Sequence, residues 1–247
     1  MEWRGEGVLL SVRKHGENAA IIDALTAEHG RHAGLVHGGA GRRLSGTLQP
    51  GNRLALRWRS RSADNLGTYE VELAKGDAAA ALADREALAT LDALRSVARA
   101  FVPERQPVPG LHAATLAVMD ALPHEAARRS GYARWEIALL AELGYALDLS
   151  RCAATGSTEG LAYVSPKSGR AVGAEAGAAW AERMLPLPAF LTEAGGAPSR
   201  RGFADALAMT GHFLVRWAGE PLGLTALPPA RERLASLAAR EVATSPR

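Results

Sequence analysis

The sequence predicts an α+β protein: a five-stranded N-terminal β-barrel of the OB type, followed by an α-helical domain with an irregular insert. Three features predict this. Five short runs of alternating side chains fall within the first 75 residues, separated by turn residues and with no strong helix between them. From Asp77 onward leucines recur at helical spacing in an alanine-rich background. Residues 149–177 break that pattern with Gly, Ser and Thr. The expected domains are 1–76 and 77–247. An SH3-like barrel is the rival for the first, since strand count alone does not separate the two.

Taken in order, Val8–Val12 alternates, and Arg13–Asn18 carries turn chemistry. Ala19–Thr26 is the second strand and His32–His37 the third. A glycine hinge, His37 to Gly41, follows. Pro50-Gly51 turns the chain into a fourth strand, Asn52–Arg59, and Gly67–Leu73 alternates as a fifth. Leu82, Leu88, Leu91, Leu94 and Val97 share one face of a first helix over 77–101, which the Pro103–Pro109 cluster ends. A second helix spans Leu111–Leu122. Ser130 is the expected cap of a third, Gly131–Asp148, with Trp135, Leu139, Leu140, Leu143 and Leu147 on its packed face. Two more are expected at Arg200–Glu220 and Ala230–Val242, with fraying at Thr244–Arg247.

Charge is unevenly placed. Residues 1–61 hold ten Lys and Arg against five Asp and Glu, whereas the remainder holds nineteen against twenty-one. Within Gly30–Arg61 stand Arg31, Arg42, Arg43, Arg53, Arg57, Arg59 and Arg61, with no carboxylate. Such a field suits a phosphate backbone, although a membrane surface or an acidic protein also answers it. One cysteine, Cys152, excludes an internal disulfide. The N-terminus lacks signal-peptide order, and no apolar run reaches the ~20 residues of a membrane span. The expected location is the cytoplasm.

Enzyme motifs fail on inspection. Gly46–Arg53 has P-loop glycine spacing without the Lys or the Ser/Thr. Gly39–Leu44 lacks the third glycine of a dinucleotide fingerprint. His37-Gly38-Gly39 has the look of an esterase oxyanion loop, but no Gly-x-Ser-x-Gly supplies a nucleophile. The seven histidines are scattered, and none lies between His124 and His212 to help Cys152 hold zinc. No catalysis, cofactor or metal is expected.

The barrel pattern, the hinge before Arg42-Arg43, and Leu48-Gln49-Pro50 resemble the RecO family of bacterial recombination mediators. So does Trp135–Tyr145 followed by Leu147-Asp148-Leu149 and Cys152. The resemblance runs through nearly the whole chain. It implies an OB fold that binds single- and double-stranded DNA, and a helical domain that meets the acidic C-terminal tail of the single-stranded-DNA-binding protein (SSB). It also implies strand annealing and, with RecR, help in loading RecA onto SSB-coated strands. Many members hold zinc through two Cys-x-x-Cys pairs in the insert. Here the first Cys is Cys152, the second position is Thr155, and the later pair falls near Gly173 and Ala176. A zinc-ribbon-like insert that folds without zinc is therefore expected, with Tyr163-Val164 packing on the third helix.

The expected DNA contacts are Arg13, Lys14, Arg31, Arg42, Arg43, Arg53, Arg57 and Arg59, which neutralise phosphates with little sequence preference. Trp58 could stack on a base if exposed, but it points away from Arg57 and Arg59 by strand alternation, which favours the core. An acidic tail ending in an apolar residue needs a cation beside an apolar pocket, for which Arg128, Arg129, Arg134 and Trp135 are the candidates. Two other readings are an RNA-binding OB module, separable by the 2′-OH, and a protein-binding adaptor.

Overall fold

The computed structural model describes residues 1–62, 64–192 and 195–244. The expected fraying beyond Thr244 lies outside the described residues. The chain divides into two compact units, Met1–Pro123 and His124–Arg247.

In the first unit β1 (Glu2–His15), β2 (Ala19–Thr26), β3 (Gly30–Val36), β4 (Arg53–Arg59) and β5 (Thr68–Lys75) form a closed barrel in the order β1-β2-β3-β5-β4. Closure comes from β1 against β4, and a single parallel pairing, Leu35 with Thr68, joins β3 to β5. One strand can serve two neighbours because β1 is long and bulged between Leu9 and Ser11. Its first half pairs with β4 and its second half with β2. Alternation sends Leu9, Ile22, Ala24, Val36, Leu54, Leu56, Trp58 and Tyr69 into a common core. β1 starts six residues before the expected Val8, because Gly5, Glu6 and Gly7 obscure its alternation in the sequence.

Helices α1 (Asp77–Ala81), α2 (Arg85–Phe101) and α3 (Pro109–Ala121) belong to the barrel's compact unit. The single helix expected over 77–101 is broken: Asp84 caps α2 by accepting from the Ala87 N–H, and Leu82 is exposed rather than packed. Arg95 on α2 donates to the Leu10 carbonyl at the β1 bulge, 2.9 Å away. Buried Asn52 donates to the carbonyls of Gly46 and Thr47 and accepts from the Ala78 N–H, fixing the β3–β4 connection against α1.

The second unit holds α4 (Glu125–Glu142), α6 (Arg200–Phe213) and α7 (Pro229–Thr244), with the short α5 (Ala174–Gly177) inside the insert. α4 starts before the expected Ser130 cap and ends before Gly144, whose φ of 87° suits a glycine. The insert forms a three-stranded sheet in which β6 (Leu161–Val164) lies between β7 (Ala171–Gly173) and β8 (Leu185–Pro186). Tyr163 closes against Gly177, where a Cβ would stand 2.6 Å from its ring.

A buried ion pair ties the helices together. Glu136 on α4 accepts from Arg231 on α7 through both carboxylate oxygens, at 2.5 and 2.9 Å. Tyr132 and Thr210 donate to the same carboxylate, and all four residues are buried. Replacing Glu136 by Ala strands a guanidinium in the core. The expected loss is about 3–5 kcal/mol of unfolding free energy by urea titration, with a smaller loss for Glu136→Gln, which keeps an acceptor.

Candidate nucleic-acid interface

The arginine-rich stretch is not the unopposed positive surface its sequence suggests. Carboxylates from elsewhere in the first unit meet four of its seven guanidiniums. Arg31 pairs with Asp23 at 2.9 Å and Glu104 at 3.0 Å, and donates to the Val102 carbonyl. Arg53 lies between Asp77 and Asp120, the latter 2.6 Å away and shared with Lys75. Arg57 and Arg59 each bridge Glu2 on β1 and Glu70 on β5, at 2.6–3.3 Å. The hydrogen bond from Arg57 holds the Glu2 carboxyl below its ordinary range. The expectation that Arg31, Arg53, Arg57 and Arg59 are unopposed by carboxylates is therefore corrected. Strand pairing places Glu2 opposite Arg59 and Glu70 opposite Arg57, a neutralisation that a count along one segment misses.

Arg13, Lys14, Arg42 and Arg43 differ. All four are exposed, and no ion pair joins them to a carboxylate among the described residues. Arg13 and Lys14 end β1, while Arg42 and Arg43 start a 3-10 turn, Arg42–Leu44, in the β3–β4 connection. That connection rests on the β1–β2 turn: the Ala40 N–H donates to the Asn18 carbonyl, and a Cβ at Gly39 would stand 2.8 Å from that of Ala20. Leu48, buried, and Leu44, partly so, pack it onto the barrel core. The glycine hinge is thus an anchored loop that presents two guanidiniums beside the end of β1. Arg61, also exposed, lies at the other barrel end, past β4.

Trp58 is a core residue, 3% exposed, whose indole N–H donates to the Leu66 carbonyl. Trp3, which sequence reading left outside any element, is the half-buried aromatic at that end. It pairs across strands with Trp58 and stacks on His29 with ring centroids 4.1 Å apart. The β1–β4 pairing of two tryptophans is a usable signal once β1 is extended to Glu2. Nearby, His32 Nδ1 and the Tyr69 hydroxyl are 2.9 Å apart. Burial pushes the His32 imidazolium down to about 4 and raises the Tyr69 phenol above its usual value.

In the helical unit Arg128, Arg129 and Trp135 are buried. Arg129 pairs with Glu125 and Glu241, and Trp135 stacks beside Tyr132. Their burial leaves these three little surface to offer an acidic tail. Arg134 is exposed and donates to the Phe190 carbonyl.

The family's zinc positions do not fit the metal here. Only Cys152 among Cys152, Thr155, Gly173 and Ala176 is a usual zinc ligand. Among the described residues no group of three His, Cys, Asp or Glu could hold a metal. The Cys152 sulfur instead receives the Gly173 N–H at 3.2 Å. The Thr155 hydroxyl and that N–H lower the thiol to about 7.

Because folding keeps His32 neutral while the unfolded chain protonates near 6.5, the unfolded state binds more protons between about 6.5 and about 4. Stability from this group is full above that window and is lost as pH falls through it. Denaturant titrations across this range should show the acid loss, and His32→Gln should reduce its slope.

No described helix is long and apolar enough to cross a membrane. Residues 1–76 match the family model "Recombination protein O N terminal", and residues 82–224 match "Recombination protein O C terminal". The chain is 47% identical over 242 residues to the DNA repair protein RecO of Jannaschia sp., covering 98% of both chains. It is 45% identical over 240 residues to that of Dinoroseobacter shibae (97% and 99% of the two chains) and 46% over 242 to that of Roseobacter denitrificans (98% and 100%). With both halves matched in order and relatives this similar end to end, the chain belongs to the RecO family of DNA repair proteins.

Proposed function

We propose that this protein is a recombination mediator that binds single- and double-stranded DNA through the barrel and anneals complementary strands. With RecR it helps RecA load onto SSB-coated single strands in the bacterial cytoplasm. The observation that carries the DNA-binding reading is the grouping of Arg13, Lys14, Arg42 and Arg43, exposed and without a carboxylate partner among the described residues, where β1 ends and the β3–β4 connection rests. The strand order, closed by β1 against β4 and joined by a parallel β3–β5 contact, supports reading the barrel as an OB fold. Cations neutralise phosphates on both strands, so two strands brought to one surface repel less and pair faster. No bond is broken and no nucleotide is spent, so the activity is not enzymatic.

The insert is read as a zinc ribbon whose metal is replaced by hydrogen bonds to Cys152. For the SSB tail, exposed Trp180 with the Arg183 guanidinium 5.8 Å from its ring centroid offers a cation beside an apolar surface, which supports reading that pair as a contact.

Annealing of complementary oligonucleotides coated with SSB, without ATP or added metal, tests the reading. Acceleration by this protein is expected, and Arg42→Glu with Arg43→Glu should slow it at least tenfold while leaving the melting temperature unchanged. An unaltered rate in that variant contradicts the assigned surface.

A further inference from the structure

We propose that the barrel end opposite Arg42 and Arg43 takes up one unpaired nucleobase of a bound single strand, in the cleft walled by Trp3, His29, His32 and Trp58. This rests on the DNA-binding reading above and gives it a single-strand-specific subsite. The cleft is a cavity of about 410 Å³, with Arg105 exposed at its rim. Its walls are flat rings: Trp3 lies against His29 with 23° between planes, and His32 meets the indole edge-on at 5.3 Å. His29, on the β2–β3 turn, already stacks on the indole as a flat heteroaromatic ring, the geometry a base would adopt.

The chemistry favours a base over a bare anion. Burial lowers the pKa of both His29 and His32, so the walls carry no positive charge of their own near neutral pH. A sugar-phosphate chain has a separate place beside it. An adjoining groove of about 870 Å³ is lined by Arg61, Ser60, Asn65 and Thr68 and shares Met1 and Glu2 with the cleft. There Arg61 is exposed and without an ion pair among the described residues. A base in the cleft and its phosphates in the groove is an arrangement open to a single strand. A duplex cannot adopt it, because its bases are stacked inside.

The test compares affinities of the full-length chain for an oligothymidylate, for an abasic oligomer of the same length, and for duplex DNA. Trp3→Ala should weaken oligothymidylate binding about 5- to 150-fold, the roughly 1–3 kcal/mol of one stacked base. Binding of the abasic oligomer and of the duplex should be unchanged. Trp3 also packs on the barrel core, so His29→Ala, at the half-buried β2–β3 turn, is a second variant, and photo-cross-linking of a halogenated-uracil oligomer to the unmodified protein gives a readout independent of folding. Cross-links at Trp3 or His29 support the cleft, and cross-links only elsewhere overturn it. Equal weakening on all three ligands, or no weakening in a folded Trp3→Ala protein, overturns it too. If Trp3→Ala leaves oligothymidylate binding intact while Arg42→Glu weakens it, the cleft fails and the DNA reading stands. If the unmodified protein binds no DNA, both fail. Loss of an acidic, phenylalanine-ended peptide in Trp3→Ala, with DNA binding kept, assigns the cleft to a protein partner and overturns the proposal.

Discussion

Neutralisation of arginine by carboxylates from distant points of the chain decides where this barrel keeps its positive charge. Glu2 and Glu70 flank Arg57 and Arg59 on the outer sheet face, and Asp77 and Asp120 enclose Arg53 where the helices begin. Asp23 and Glu104 take Arg31. These pairs make poor phosphate sites, because an incoming anion must first displace a carboxylate already in place. Among the described residues the exposed cations without an ion pair include Arg13 and Lys14 where β1 ends against β2, Arg42 and Arg43 on the loop beside them, Arg61 past β4, and Arg4 within β1.

Much of the architecture was legible along the chain. β2 was legible to the residue, because turn residues bound it on both sides. The early start of α4 was not, since His124 offers no side-chain cap and Ser130 offers a plausible one. That shift brings Arg128 and Arg129 into the helix, where both are buried. For the candidate site, Arg42 and Arg43 were found correctly as cations on a loop without local acid. The pairing of Arg31, Arg53, Arg57 and Arg59 was hidden because it depends on strand register and on contacts more than fifty residues apart in sequence, such as Arg57 with Glu2. Trp3 was missed for the related reason that glycines interrupt its strand.

The insert is a small three-stranded sheet whose turn at Cys152 is held by hydrogen bonds. The chain turns at Cys152, whose carbonyl accepts from the Gly156 N–H and whose own N–H donates to the Ser157 carbonyl. β7 brings Gly173 back to the same sulfur. These hydrogen bonds and the small sheet support the insert.

The barrel's arginines divide into paired and unpaired sets, and the salt dependence of single-strand affinity measures that division. Each phosphate contact adds about 0.7 to the slope of log affinity against log salt for a single strand. Replacing Arg42 and Arg43 together by Ala should flatten that slope by about 1.4, whereas replacing Arg57 and Arg59 together should leave it nearly unchanged. A flatter slope from the second pair and none from the first would mean that DNA strips Glu2 and Glu70 from their partners and lies along the sheet face, contrary to the interface described here.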